Sequence, residues 1–98
     1  MAFTLIIDTR AISDIQEAID YYDEQQAGLG KRFEAELNSL LVFLEDNPFF
    51  RIRYDHVRCL PMKKFPYMVY FTIDERKQLV VVRAVFHTSV NPQRWEET

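Results

Sequence analysis

Arg83 and His87 stand four residues apart in the stretch LVVVRAVFH, residues 79–87. In an extended strand that spacing sends both side chains out of the same face. A guanidinium beside an imidazole suits phosphate chemistry, because the fixed charge stabilises a developing oxyanion while the histidine moves a proton near neutral pH. More cations fall beside the neighbouring strands. Lys63 and Lys64 precede the run YMVYFTI at residues 67–73, and Arg58 belongs to the stretch before it. Three adjacent strands would then aim Arg58, Lys63 or Lys64, Arg83 and His87 at one concave surface able to hold an anion or a pentacoordinate phosphate. The alternative role is architectural, with Arg83 paired to a helix carboxylate and His87 capping the end of its strand.

Other chemistries are thinly supplied. His56 and His87 are far apart, and neither has a second His or Cys three or four residues away, so no metal site is expected. With only 2 glycines there is no phosphate loop or dinucleotide fingerprint, and no cofactor is expected. Asp20, Asp23 and Glu24 cluster on a helix, where a solvated acidic face explains them. Cys59 is the one cysteine, so it has no internal disulfide partner, and it reads as a small apolar strand residue.

The elements that must position these residues follow from periodicity. A chain of 98 residues fits a single domain, 1–98, and 48% hydrophobic content with 14% aromatic residues excludes a disordered chain. Phe3 to Ile7 reads as a short strand. Ile12, Ile15, Ile19 and Tyr22 then recur with helical spacing, with Ser13 and Gln16 forming a capping box or Thr9 capping an earlier start. Ala27 to Gly30 holds both glycines and breaks the helix. Phe33, Leu37, Leu40, Leu41 and Leu44 form a second stripe that ends at Asn47-Pro48. So short a connection makes an antiparallel helix hairpin, with Phe33 and Leu37 packed beneath Val69, Phe71 and Val81 or their neighbours.

Beyond Phe50 the period becomes two. Arg53 to Leu60, Tyr67 to Ile73 and Leu79 to His87 read as strands, the last two joined by a hairpin over Asp74 to Gln78. Pro61 and Pro66 bracket a bulge or edge loop. Asn91-Pro92 turns the chain after the last strand, so that Trp95 folds back on the domain. The order β-α-α-β-β-β gives an α+β fold, a helix hairpin covering one face of a mainly antiparallel sheet.

Charge is unevenly spread. The net charge is −3, but residues 1–50 carry 3 basic and 10 acidic side chains while residues 51–98 carry 9 and 5. A polyanion contact would use the second half, and tight direct DNA binding by this chain alone is not expected. No apolar run is long enough to span a membrane, and Met1 to Ile7 lacks the basic start of a signal peptide, so a cytoplasmic location is expected.

Several short motifs follow one another along the chain: Ala11-x-x-Asp14-Ile15-x-Glu17-Ala18-x-x-Tyr21-Tyr22, Gly28-Leu29-Gly30-x-Arg32-Phe33-x-x-Glu36-Leu37, Asn47-Pro48, and Val57-Arg58. Phe65-Pro66-Tyr67-Met68-Val69-Tyr70-Phe71, Val82-x-x-Val85-x-His87 and Asn91-Pro92-x-x-Trp95 continue the order. In this sequence they resemble the ParE/RelE superfamily of bacterial toxins from type II toxin-antitoxin, or plasmid stabilisation, systems. The resemblance implies a small growth-inhibiting toxin held inactive by a cognate antitoxin.

The superfamily has two branches. RelE-like members cleave messenger RNA on the ribosome with arginines, lysines and a supporting Tyr or His. ParE-like members are associated with poisoning of DNA gyrase and have no established catalytic set. The RelE branch commonly has an arginine in the strand that here reads Tyr67-Met68-Val69-Tyr70, and this chain puts Met68 near that place. Many relatives also carry one between the strand-end histidine and the proline, where this chain reads Thr88-Ser89-Val90-Asn91. Cleaving members also tend to be strongly basic. These departures favour the ParE-like branch, a toxin that binds and inhibits an essential target of the gyrase type. The alternatives are a ribosome-dependent mRNA endoribonuclease in which Arg58, Lys63 or Lys64 replaces the missing arginines, or an interaction module that has lost activity. The antitoxin tail is expected to drape over the helix hairpin and the sheet edge, basic over the acidic helices and acidic over Arg58 and Arg83.

Overall fold

The computed structural model describes residues 3–49, 52–54 and 56–89. The expected docking of Trp95 and the turn at Asn91-Pro92 lie outside these residues. The chain runs through β1 (Thr4–Ile7), α1 (Thr9–Gln25), α2 (Leu29–Asp46), β2 (Ile52–Tyr54), β3 (Val57–Pro61), β4 (Tyr67–Asp74) and β5 (Leu79–His87). The five strands form one sheet in the order β1-β5-β4-β3-β2, antiparallel except for the parallel pair of β1 with β5. The α+β architecture is the expected one. One strand is divided: the stretch expected to run from Arg53 to Leu60 is two strands, β2 and β3, paired through Ile52 with Arg58 and Tyr54 with Val57. No Gly or Pro marks the tight reversal between them, which hides it from the sequence.

Asp8 caps α1, its Oδ1 accepting from the Arg10 N–H at 3.0 Å. The cap expected at Ser13 or Thr9 is thus displaced to the residue that leaves β1, the first with a side chain that reaches the open N–H groups. On α1 the deeply buried residues are Ala11 and Ala18, while Ile12 is 52% exposed. Small side chains let the helix axis approach the sheet, so the buried stripe is rotated slightly from the one marked by isoleucines.

The two helices lie on one face. Phe33, Leu37 and Leu44 of α2 are buried with Val69 and Phe71 of β4 and Val80 and Val82 of β5, and Ile15, Ile19 and Tyr22 pack around them. Val81, expected among these partners, points to the far face instead, while its neighbours Val80 and Val82 fill the core. Each deeply buried side chain contributes roughly 1.5–3 kcal/mol of transfer free energy. A second, smaller cluster of Val57, Tyr70 and Ala84, with Cys59, Met68 and Phe86 around it, occupies the far face. No described helix is long and apolar enough to cross a membrane.

Candidate functional site

Strand β5 carries an extra residue. Tyr70 lies opposite Ala84 and Phe71 opposite Val82, so Arg83 has no partner of its own on β4. A bulge of this kind inverts the side-chain alternation beyond it. Before the bulge Val80 and Val82 face the helices; after it Val85 does, and Ala84 and Phe86 join the far-face cluster. His87 pairs with Tyr67, a helix-side residue, and the two rings are 5.3 Å apart. Arg83 and His87 therefore leave opposite faces, and the same-face expectation fails by one residue of register.

Arg83 is held on the far face. Its Nε donates to Thr72 Oγ1 at 3.1 Å, and its terminal nitrogen donates to Asp8 Oδ2 at 3.3 Å. This is the architectural role weighed from the sequence, with the carboxylate supplied by the helix cap. The Arg10 N–H, followed by the Arg83 guanidinium, holds Asp8 below the usual 3.8 against the opposing effect of desolvation. A depressed carboxyl pKa adds stability that is present above the unfolded value and is lost as pH falls through the folded one. Asp8→Asn keeps a good cap but removes the charge. The variant is expected to lose stability less steeply than wild type below about pH 4, measured by thermal unfolding across an acid series. Equal slopes would mean that the Asp8 charge, held by the Arg10 N–H and by Arg83, has no energetic consequence.

His87 ends its strand with Ser89 folded against it. The Ser89 N–H donates to Nδ1 at 3.1 Å and the Ser89 hydroxyl lies 2.8 Å from the same nitrogen. That arrangement makes Nδ1 an acceptor and leaves the ring proton on Nε2. Next to it Tyr67 joins an aromatic cluster with Tyr22, Phe33 and Phe65. Burial pushes the Tyr67 phenol above its usual 10.0, so it stays protonated beside the histidine.

The remaining candidates lie elsewhere. Arg58 is opposite Phe71, on the helix face, with its guanidinium 5.5 Å from the centroid of the Phe49 ring. Phe71 and Tyr67 are four residues apart on β4, so Arg58 and His87 are separated by about 13 Å along the strands. Lys63 and Lys64 sit on the loop between β3 and β4, where both backbone N–H groups donate to Glu36 Oε2 at 2.9 and 3.1 Å. Met68 and Cys59 belong to the far-face apolar cluster, where the rings of Tyr70 and Phe86 are 5.6 Å apart. Among the described residues no group of His, Cys, Asp and Glu is placed to hold a metal.

This order of elements, with an alanine-lined first helix, a glycine-joined hairpin and a bulged last strand, can be compared with known families. The family described as ParE toxin of type II toxin-antitoxin system, parDE, matches residues 5–92. The chain belongs to that family. Its fold is similar to the chromosomal ParDE toxin-antitoxin system from P. aeruginosa, with a TM-score of 0.76 at 13% identity over 88% of this chain and 96% of that one. It is also similar to the intact E. coli RelBE complex, with a TM-score of 0.68 at 19% identity over 88% and 96% of the two chains. RelBE2 from Mycobacterium tuberculosis gives a TM-score of 0.65 at 18% identity over 89% and 99%. No curated protein matches the sequence significantly.

Within this ParE-family chain the motif residues acquire structural reasons. Asp14 Oδ2 accepts from the Val85 N–H at 3.1 Å. It supplies an acceptor on β5 beyond Val82, where the pairing with β1 stops. Gly30 lies against α1, and Glu36 ties down the loop that carries the two lysines. The roles of Asp8, Asp14 and Glu36 were not read from the sequence. Their signal is weak, since a carboxylate that accepts backbone N–H groups looks the same in sequence as one facing solvent.

Proposed function

We propose that this type II toxin-antitoxin toxin is neutralised by a cognate antitoxin and inhibits an essential target by binding it, in the manner of a gyrase poison, without cutting messenger RNA. The observation that carries the reading is the separation of Arg83 and His87 onto opposite faces. Phosphodiester cleavage needs a proton-transfer group and a stabilising cation within a few ångströms of the same phosphate. Here Arg83 is engaged by Asp8 and Thr72, while His87 stands beside the Tyr67 ring on the other face of the sheet. Met68, near the place where the cleaving branch commonly has an arginine, packs against an apolar cluster. Removing one transition-state donor costs on the order of a hundredfold or more, so this arrangement favours binding over catalysis. A cytoplasmic location belongs to the same proposal.

Controlled expression in a bacterial host tests it, with transcript 5′ ends mapped beside a DNA-damage reporter. Growth arrest with an induced reporter and intact transcripts is expected, and Arg83→Ala and His87→Ala should remain toxic. Codon-phased cuts that vanish in either variant, with a silent reporter, would assign the ribonuclease activity instead. Normal growth would reduce the protein to an interaction module.

A further inference from the structure

Glu36 of α2 reaches across to the loop between β3 and β4. There a single carboxylate oxygen, Oε2, accepts from two successive backbone N–H groups, Lys63 at 2.9 Å and Lys64 at 3.1 Å. Adjacent N–H groups that converge on one oxygen form a concavity of the kind that binds phosphate and other anions. The loop is therefore shaped around an anion, and here that anion is a side chain of the same protein.

The surroundings hold more positive charge than one carboxylate balances. A hollow of ≈ 560 Å³ opens between α2 and the loop, and its wall includes Arg32, Lys63 and Lys64, all exposed. Glu36 is the one carboxylate among its lining residues. Among the described residues, the side chains of these three cations have no hydrogen-bond or ion-pair partner. Arg32, Glu36 and Ser39 are spaced four and three apart on α2 and share a face, which adds the Ser39 hydroxyl to the same wall. Phe65 gives the hollow an apolar side. Its volume suits a small molecule, for which sites run to roughly 300–1,000 Å³. Charge points the same way. A chain of net charge −3 repels a long polyanion, whereas a local excess of cations suits a short one.

We propose that this hollow binds a small phosphorylated ligand, the size of a diphosphate or a nucleotide, whose phosphate replaces the Glu36 carboxylate on the Lys63 and Lys64 N–H groups. The side chains of Arg32, Lys63 and Lys64 neutralise it. Glu36 is an internal competitor, holding the loop until the phosphate displaces it. The inference goes beyond the toxin reading and is independent of which target the toxin inhibits.

The test uses the full chain, with pyrophosphate as the probe in metal-free, low-salt buffer, followed by amide NMR and titration calorimetry. Saturable shifts of the Lys63 and Lys64 amides are expected. Glu36→Gln keeps an acceptor for the loop but removes the competing charge, so it should bind several-fold more tightly. Glu34→Gln, an exposed change of the same charge outside the hollow, should leave affinity nearly unchanged. The triple change Arg32→Gln, Lys63→Gln, Lys64→Gln should weaken binding at least tenfold, while Arg76→Gln should not. Unfolding midpoints near that of wild type establish that each variant is folded. Unshifted loop amides, or wild-type affinity in the triple variant, overturn the site. Glu36→Gln binding no tighter than Glu34→Gln overturns the displacement. Equal binding of sulfate would mean an adventitious ion only and also overturns the proposal. A nucleoside diphosphate that binds at least as well as pyrophosphate supports it. A short single-stranded DNA that binds more tightly than both assigns the phosphate to a strand and overturns the small ligand.

Discussion

Phe33→Ala is expected to destabilise the domain by about 3–5 kcal/mol, the range for deleting a fully buried phenylalanine. Phe33 is 0% exposed and lies at the centre of the aromatic cluster, with ring centroids 5.6 Å from Tyr22, 5.2 Å from Phe65 and 5.1 Å from Tyr67. These rings come from α1, the loop before β4, and β4 itself, so a cavity here loosens three elements at once. Interiors packed at crystal density relax only partly around such a void, which is why the cost exceeds the transfer term alone. A domain of this size has a total stability of about 5–15 kcal/mol, so the variant should be close to the folding threshold. Urea unfolding should show a midpoint lowered by about 2 M. Phe43→Ala, on the half-exposed side of the same helix, should shift stability by no more than about 1 kcal/mol. Equal shifts for the two variants would mean that the described core is wrong.

The same contrast explains which parts of the fold were legible in the sequence. Phe33, Leu37, Leu41 and Leu44 repeat with the helical period and are all buried. Asn47-Pro48 stops α2 where proline chemistry requires, since the helix ends at Asp46. The bulge at Arg83 was not legible. Val80 to Val85 is apolar but for Arg83, and both faces of β5 have buried residues, so no polar alternation fixed the parity. One extra residue then moved His87 to the helix side, and the candidate site came apart. The ion pair of Arg83 with Asp8 spans 75 residues and the bond from Val85 to Asp14 spans 71. Contacts of that range follow from how β1 hands over to α1 at the edge of β5, a feature of topology that local spacing does not contain.

Gly30→Ala should cost about 2–3 kcal/mol, although alanine is the better helix former. A Cβ on Gly30 would stand 2.6 Å from the Ile19 carbonyl oxygen and 2.7 Å from Asp23 Oδ1. The first of these is backbone of the facing helix, so relief requires the helices to separate. Asp23 is itself committed, because its Oδ1 accepts from the Gly30 N–H at 2.8 Å and so satisfies an open donor in the first turn of α2. Pushing the helices apart would break that bond and lift Phe33, one turn further along, away from Tyr22. The nearby Gly28 offers the control. It caps α2 with φ of 87° and has nothing within 4 Å of a built Cβ, so its demand is conformational alone. Gly28→Ala should therefore cost about 1–2 kcal/mol, the penalty of a left-handed alanine, and Gly28→Asn less. Denaturant unfolding of the three variants gives the ordering directly. If Gly30→Ala proved neutral while Gly28→Ala did not, the helices would not be in the contact described. If Gly30→Ala costs more than both Gly28 variants, the glycine is there to let α1 and α2 touch.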